Sequence, residues 1–170
     1  MDQGYIHVYT GNGKGKTTAA LGLVVRALGA GLSAHVVQFI KSMEYHELRT
    51  LRRLGVPVHQ YGCGCFIRGE PKHDDKEMAA RGLAFTQGLM AQGGLDLLVL
   101  DEINIALSLG LLPLDEVLEV VRSKPRGLEL VCTGRGAPRQ LIDSADLVTE
   151  MVSHKHYYDV GIAARDGIER

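Results

Sequence analysis

Short apolar and β-branched runs alternate with longer amphipathic stretches along this chain. Such alternation is typical of a mostly parallel sheet with helices on both of its faces. The run LDLLVL at residues 95–100 is almost wholly apolar, as expected of a strand that is buried on both sides. Strands are predicted at residues 5–10, 34–40, 56–60, 95–100, 128–132 and 147–152, and helices at residues 16–28, 44–54, 74–92, 113–122 and 138–142.

The composition fits one soluble domain. The 170 residues are 45% hydrophobic and 23% charged, without an internal repeat, a low-complexity tract or a linker. A net charge of −1 without a long basic run gives no support to a nucleic-acid partner. No apolar stretch reaches the roughly 20 residues of a membrane span, and the early first strand leaves no room for a signal peptide. We therefore expect a single cytoplasmic domain over residues 1–170, without membrane contact, whose three cysteines are reduced thiols.

The most informative motif is the glycine-rich stretch TGNGKGKTT at residues 10–18, between the first predicted strand and the first predicted helix. Its end, Gly15-Lys16-Thr17, fits the general phosphate-loop pattern, but Thr10 stands where that pattern begins with glycine. We expect Gly11 and Gly13 to supply the unusual backbone angles instead. The strand–loop–helix context predicts a P-loop NTPase-like (RecA-like) α/β fold.

The chemistry of a phosphate loop gives each part of this motif a predicted role. Backbone N–H groups of residues 13–17 are expected to surround phosphate oxygens at the positive end of the following helix. We expect Lys16 to be exposed and to place its ammonium over the phosphates. The Thr17 hydroxyl is a predicted ligand of Mg²⁺, a cation that prefers oxygen. Lys14 adds a second cation inside the loop.

Two further motifs follow predicted strands. Asp101 and Glu102 end the apolar run, and because carboxyl ends of parallel strands meet near the phosphate loop, both are predicted to hold Mg²⁺ directly or through water. Arg135, between two glycines, is predicted to contact the phosphates bidentately. The alternatives are a helix-capping Asp101 followed by an exposed Glu102, and a solvent-exposed turn arginine. The predicted ATP-binding set is Gly11, Asn12, Gly13, Lys14, Gly15, Lys16, Thr17, Thr18 and Arg135.

In this order the motifs resemble those of the ATP:cob(I)alamin (corrinoid) adenosyltransferase family. The resemblance extends over Phe39-Ile-Lys41, Leu112–Val117 and the tail from Glu150 to Ile168, and so covers nearly the whole chain. It implies that cobalt(I) of a reduced corrinoid attacks the ribose 5′ carbon of Mg-ATP, so that adenosylcobalamin or an adenosylated precursor forms and triphosphate leaves. Because a cobalt nucleophile needs no general base, the implied catalytic residues, which are Lys16, Glu102 and Arg135, would stabilise the leaving group or its metal ion.

The resemblance also implies how the other participants bind. Related enzymes place hydrophobic and aromatic side chains under the corrin ring, which makes Phe66, with Cys65 beside it, the candidate corrinoid contact in the glycine-rich region 61–72. Many members carry a tryptophan in this loop, whereas this chain contains none. A flavoprotein electron donor and a homodimer are implied as well.

Other functions remain open on the sequence alone. A phosphotransferase such as a nucleoside kinase would need a general base, for which Glu102 is available, and would convert ATP to ADP. A regulatory ATPase module would hydrolyse ATP without any corrinoid. Metal binding by Cys63-Gly-Cys65 or by His154-Lys-His156 lacks a further ligand at a suitable spacing, so a plain turn and an extended segment are the alternatives there.

Overall fold

One parallel sheet organises the chain. The structure is a computed structural model that describes residues 1–64 and 69–169. Within these ranges the strands are β1 (Ile6–Thr10), β2 (Ala34–Lys41), β3 (Val58–Gly64), β4 (Leu97–Asp101), β5 (Glu129–Thr133) and β6 (Leu147–Glu150). They lie in the order β3-β2-β4-β5-β1-β6, and every neighbouring pair is parallel. The predicted α/β fold is confirmed, and the architecture fits a single P-loop NTPase-like domain.

Helices connect the strands. They are α1 (Lys16–Gly29), α2 (His46–Arg53), α3 (His73–Gln92), α4 (Ile103–Ser108), α5 (Leu114–Arg122) and α6 (Arg139–Asp143), and a 3₁₀ helix follows at Tyr157–Val160. The sequence prediction missed α4 and the 3₁₀ helix, because six and four residues are too few for a helical period to appear. The other predicted elements are confirmed with shifted ends. None of the helices in the described ranges is both long and apolar enough to cross a bilayer.

The core consists of two apolar clusters, one on each face of the sheet. Residues of α1 and α2 pack on one face, and those of α3, α4, α5 and α6 pack on the other. Strand β4 contributes side chains to both clusters and is buried along its whole length, which confirms the predicted buried strand from residue 97 onwards, whereas residues 95 and 96 precede it and are half-buried. Since β4, β5 and β1 are neighbours in a parallel sheet, their carboxyl ends meet at one edge, where the polar residues of the predicted site also lie.

An imidazole is enclosed between the sheet and α3. His35 of β2 is only 8% exposed, and its Nε2 atom has no hydrogen-bond partner within the described residues. Its ring stacks on His59 of β3 at a centroid distance of 5.1 Å and lies 5.8 Å from the ring of Phe85 in α3. Burial, and then the neighbouring His59, lower the pKa of His35 from 6.5 to about 4. The folded chain therefore holds this imidazole neutral.

We expect the substitution His35→Phe to make the protein less sensitive to mild acid. Because the pKa of His35 is lower in the folded than in the unfolded chain, the unfolded chain takes up the proton first, and stability is lost as the pH falls from 6.5 towards 4. Over that whole interval the loss amounts to about 3 kcal/mol. Urea unfolding at about pH 7 and about pH 4.5 measures it. An equal loss of stability in the variant and the parent would contradict the assignment.

Candidate functional site

The glycine-rich loop joins β1 to α1, in the strand–loop–helix placement that the sequence predicted. Gly11 has a φ of 91° and Gly15 a φ of 117°, whereas Gly13 has no positive φ. The prediction of unusual backbone angles is thus confirmed for Gly11 and wrong for Gly13. A side chain is excluded at Gly13 by close packing, since a Cβ atom there would lie 2.7 Å from the carbonyl oxygen of Met151.

Backbone amides at the start of α1 are free to donate hydrogen bonds to a ligand. Those of residues 16–18 have no acceptor within the helix, and the first intrahelical bond runs from Ala19 to the Gly15 carbonyl. Together with the helix dipole they favour an anion at this end. The amide of Gly13 is different, because it donates to the Met151 carbonyl at 2.6 Å. The prediction that all amides from residue 13 to residue 17 face an anion is therefore wrong at Gly13.

Lys16 is buried, with 8% of its surface exposed, so the expectation of an exposed lysine is wrong. Its ammonium donates to the Gly13 carbonyl oxygen at 2.6 Å, because the side chain folds back into the loop that precedes it. Burial, and then the charge of Arg135, lower the pKa of Lys16, while Glu102 opposes this shift. The structure thus brings together the three residues that were predicted to be catalytic.

Asp101 ends β4 as a fully buried carboxylate that accepts hydrogen bonds from four side chains. Its Oδ1 accepts from the hydroxyls of Thr17 and Thr133, both at 2.7 Å. Its Oδ2 accepts from Lys41 Nζ at 2.8 Å and from Gln38 Nε2 at 3.1 Å. Burial opposes ionisation, but the ammonium and the hydrogen bonds prevail and hold the pKa of Asp101 below its usual value. The carboxylate is therefore charged and its oxygens are occupied.

Glu102 differs from its neighbour in its hydrogen bonds and in the direction of its pKa shift. It precedes α4 with a φ of 63°, and its N–H donates to Thr133 Oγ1 at 3.1 Å. Its Oε2 atom is buried and has no hydrogen-bond partner among the described residues. Burial, and then the charge of Asp101, raise the pKa of Glu102. The alternative of a capping Asp101 before an exposed Glu102 is wrong, because Asp101 lies inside β4 and the Glu102 carboxyl group is turned inward.

Arg135 lies on the turn after β5. It is exposed and follows Gly134, whose φ is 130°. Its charge lowers the pKa of Lys16 and of Glu102, so its guanidinium lies near both groups. Exposure agrees with a plain turn arginine, and proximity to the loop agrees with phosphate binding. The bidentate contact stays a prediction.

Sequence reasoning missed the role of two residues of β2, Lys41 and Gln38, as partners of Asp101. Ile40, just before Lys41, has a φ of 69°, which is rare for a β-branched residue, and the pairing of β2 with β3 shifts register at this point. Such an irregularity changes the direction of the side chains that follow it. The available signal was that polar residues interrupt an otherwise apolar strand, AHVVQFIK.

The predicted corrinoid contacts Phe66 and Cys65 lie outside the described residues. Cys63 is exposed, and Cys132 is enclosed in β5, where burial raises the pKa of its thiol to about 12. His156 accepts a hydrogen bond from the Tyr158 amide at 3.1 Å. Across residues 1–64 and 69–169 no group of three or more His, Cys, Asp or Glu side chains could hold a metal ion by itself.

Known proteins match the chain over nearly its whole length. The family model of ATP:corrinoid adenosyltransferases (BtuR/CobO/CobP) matches residues 2–170. The chain belongs to this family. A corrinoid adenosyltransferase of Pseudomonas aeruginosa is 40% identical, in an alignment that covers 99% of this chain and 84% of that protein. Those of Salmonella typhimurium and Escherichia coli K12 are 37% and 35% identical, each with 99% of this chain and 86% of the relative covered.

Membership in the corrinoid adenosyltransferase family confirms the resemblance that the motifs carried. The relatives do not support a nucleoside kinase or other phosphotransferase. In this adenosyltransferase the carboxyl ends of β1, β4 and β5 carry the glycine-rich loop, the Asp101–Glu102 pair and Arg135.

Proposed function

We propose that this protein transfers the adenosyl group of ATP to the cobalt of a reduced corrinoid, and that its glycine-rich loop binds the triphosphate. Cobalt(I) uses its electron pair to form a bond to the 5′ carbon, the bond from that carbon to oxygen breaks, and triphosphate leaves with the bonding electrons. The observation that carries the proposal is the buried Lys16 ammonium inside the loop, close to Glu102 and Arg135, in a chain of this family.

Negative charge develops on the triphosphate as it departs, so groups that stabilise this charge accelerate the reaction. The amides at the start of α1, Lys16 and Arg135 are the proposed stabilising groups. Lys16 is already held by the loop before it meets the nucleotide, and such preorganisation limits the rearrangement needed during the reaction. Because cobalt carries no proton to remove, Glu102 has no task as a general base. Its proposed role is to bind metal.

Mg²⁺ fits the oxygen atoms at this site. The buried Glu102 Oε2 lacks a hydrogen-bond partner within the described chain, and a hard cation would satisfy it. Thr17 donates its hydroxyl proton to Asp101 and keeps its lone pairs for an ion. Since each Asp101 oxygen already accepts two hydrogen bonds, we propose that Asp101 positions Thr17 and that Thr17 and Glu102 bind the ion. When bound, Mg²⁺ neutralises charge on phosphate oxygens.

The substitution Glu102→Gln is expected to raise the Mg²⁺ concentration that half-saturates the transfer rate by about tenfold or more, because it removes the charged ligand and keeps the side-chain shape. Titrating Mg²⁺ at fixed ATP and reduced cobalamin measures this. The matched control is Glu77→Gln, which removes an exposed carboxylate that pairs with Arg81 on α3. An unchanged magnesium requirement in Glu102→Gln would remove this residue from the metal site.

Product analysis tests the proposed reaction. The protein is incubated without oxygen with ATP, Mg²⁺ and chemically reduced cobalamin, so that no natural electron donor is needed. We expect the absorbance change of a new cobalt–carbon bond, together with one triphosphate for each adenosylated corrinoid. Formation of ADP on an acceptor without that bond would support a phosphotransferase. ADP and phosphate in the absence of corrinoid would support a regulatory ATPase.

We also propose a cytoplasmic homodimer that receives electrons from a flavoprotein and binds the corrin ring near Phe66 and Cys65. The family resemblance supports the electron donor and the corrin contacts. Strand β6 supports the dimer: it lies at the edge of the sheet, and both Leu147 and Val148 are 42% exposed. Apolar residues on an unpaired edge are typical of a surface covered by another chain. Light scattering of the purified protein measures the mass directly.

A further inference from the structure

The chain that follows β6 lies directly against the glycine-rich loop. The Met151 N–H donates to the Thr10 carbonyl at 2.9 Å, and the Met151 carbonyl accepts from the Gly13 N–H at 2.6 Å. A Cβ atom at Gly11 would lie 2.5 Å from the same carbonyl oxygen. The glycines at positions 11 and 13 therefore make room for this C-terminal segment, which holds the loop by its backbone.

A second contact holds the loop by a side chain. The ammonium of Lys14 donates to the Tyr157 hydroxyl at 2.6 Å and to Glu169 Oε1 at 2.7 Å. The Tyr157 hydroxyl also donates to Glu169. Arg165 completes the group. Its backbone N–H donates to Glu169 Oε2 at 2.8 Å, and its guanidinium carbon lies 4.7 Å from the Tyr157 ring centroid. These residues, Lys14, Tyr157, Arg165 and Glu169, are called the tail cluster below.

The tail cluster is an ionic contact. Hydrogen bonds from Arg165, Lys14 and Tyr157 hold the pKa of Glu169 far below its ordinary value. Hydrogen bonds to Glu169 and Tyr157 raise the pKa of Lys14. Both partners are therefore charged over the physiological range. The positive charge of Lys14 is matched by Glu169, in contrast to Lys16, whose ammonium meets only a neutral carbonyl among its hydrogen-bond partners in the described chain.

We propose that residues 151–169 form a strap that holds the glycine-rich loop in its phosphate-binding shape, with Lys14, Tyr157 and Glu169 as positioning residues. A glycine-rich loop samples many backbone conformations when it is free, and fixing it before the nucleotide arrives lowers the entropy lost on binding. Lys14 then serves ATP binding by shaping the loop, and its ammonium belongs to the strap. This inference rests on the proposed function, since the strap matters only if the loop binds triphosphate.

The substitution Glu169→Gln tests the strap, because it removes the charge that holds Lys14 and preserves the size of the side chain. We expect the KM for ATP to rise about 3- to 10-fold, with little change in kcat or in the KM for the corrinoid, since saturating ATP can impose the loop shape. Tyr157→Phe should raise the KM for ATP in the same direction by a smaller factor. The control Glu77→Gln, which breaks an ion pair of similar length on α3, should leave it unchanged.

The double variant Lys14→Met/Glu169→Gln distinguishes the strap from a direct phosphate contact by Lys14. If both residues act through one contact, the KM for ATP in the double variant should equal that of either single variant. Multiplicative increases, or a lower KM in Glu169→Gln because Lys14 is released to the phosphates, would overturn the strap. So would an unchanged KM in Glu169→Gln and Tyr157→Phe with an active parent. An inactive parent protein would instead contradict the proposed function.

Discussion

The substitution Lys16→Met is expected to lower adenosyl transfer by about a hundredfold or more, the range found when one donor to a developing negative charge is removed. The stem of Lys16 is enclosed by the loop, and its ammonium bonds to the Gly13 carbonyl at 2.6 Å. Methionine retains the length and the apolar stem but removes the charge. Alanine would also leave a void, so that the effect of lost packing could not be separated from the effect of the lost charge. Single-turnover rates with saturating ATP and reduced cobalamin measure the effect.

The control for this prediction is Lys76→Met, which removes an exposed lysine from α3. Its transfer rate should equal that of the parent. Thermal unfolding of Lys16→Met establishes whether the fold is retained, and we expect a small change because only one hydrogen bond to a carbonyl is lost. A folded Lys16→Met variant that kept more than about a tenth of the rate would show that Lys16 does not stabilise the leaving triphosphate.

The position of the candidate site in the fold was predictable because it depends on local patterns. Alternating apolar runs located the strands, and Gly15-Lys16-Thr17 between a strand and a helix located the loop. Parallel strands then placed Asp101 and Arg135 at the same edge of the sheet, since their carboxyl ends share one side. These inferences needed only sequence spacing and strand direction.

Contacts between distant segments were not predictable in the same way. Lys16 is buried because its side chain folds back and its ammonium bonds to the Gly13 carbonyl. The Gly13 amide is occupied because it donates to the carbonyl of Met151, far along the chain. Lys14 fitted a phosphate-binding cation in the sequence, yet its ammonium meets a carboxylate 155 residues away. Neither pairing leaves a periodic signal. Lys41 was missed for a related reason, since its direction depends on an irregular pairing between β2 and β3.

The substitution Asp101→Asn is expected to have the largest effect on stability. Lys41 would lose its only acidic hydrogen-bond partner in the described chain while its side chain stays 17% exposed, and removing one partner of a buried ion pair costs about 3 kcal/mol or more. Asparagine also presents an NH₂ group to hydroxyls that now donate to the carboxylate. Thr17 would lose its orientation, so we expect a higher Mg²⁺ requirement as well. Urea unfolding and Mg²⁺ titration of the transfer rate measure the two effects separately.

The double variant Asp101→Asn/Lys41→Met separates the two consequences of this substitution. Removing both charges eliminates the unpaired ammonium, so we expect much of the lost stability to return. The Mg²⁺ requirement should stay high, because Thr17 still lacks the carboxylate that accepts its proton at 2.7 Å. These two outcomes together would assign the Asp101–Lys41 ion pair to the stability of the fold and the Thr17 hydroxyl contact to the magnesium site. Equal stability of Asp101→Asn and the parent, or full recovery of the Mg²⁺ response in the double variant, would contradict this division of roles.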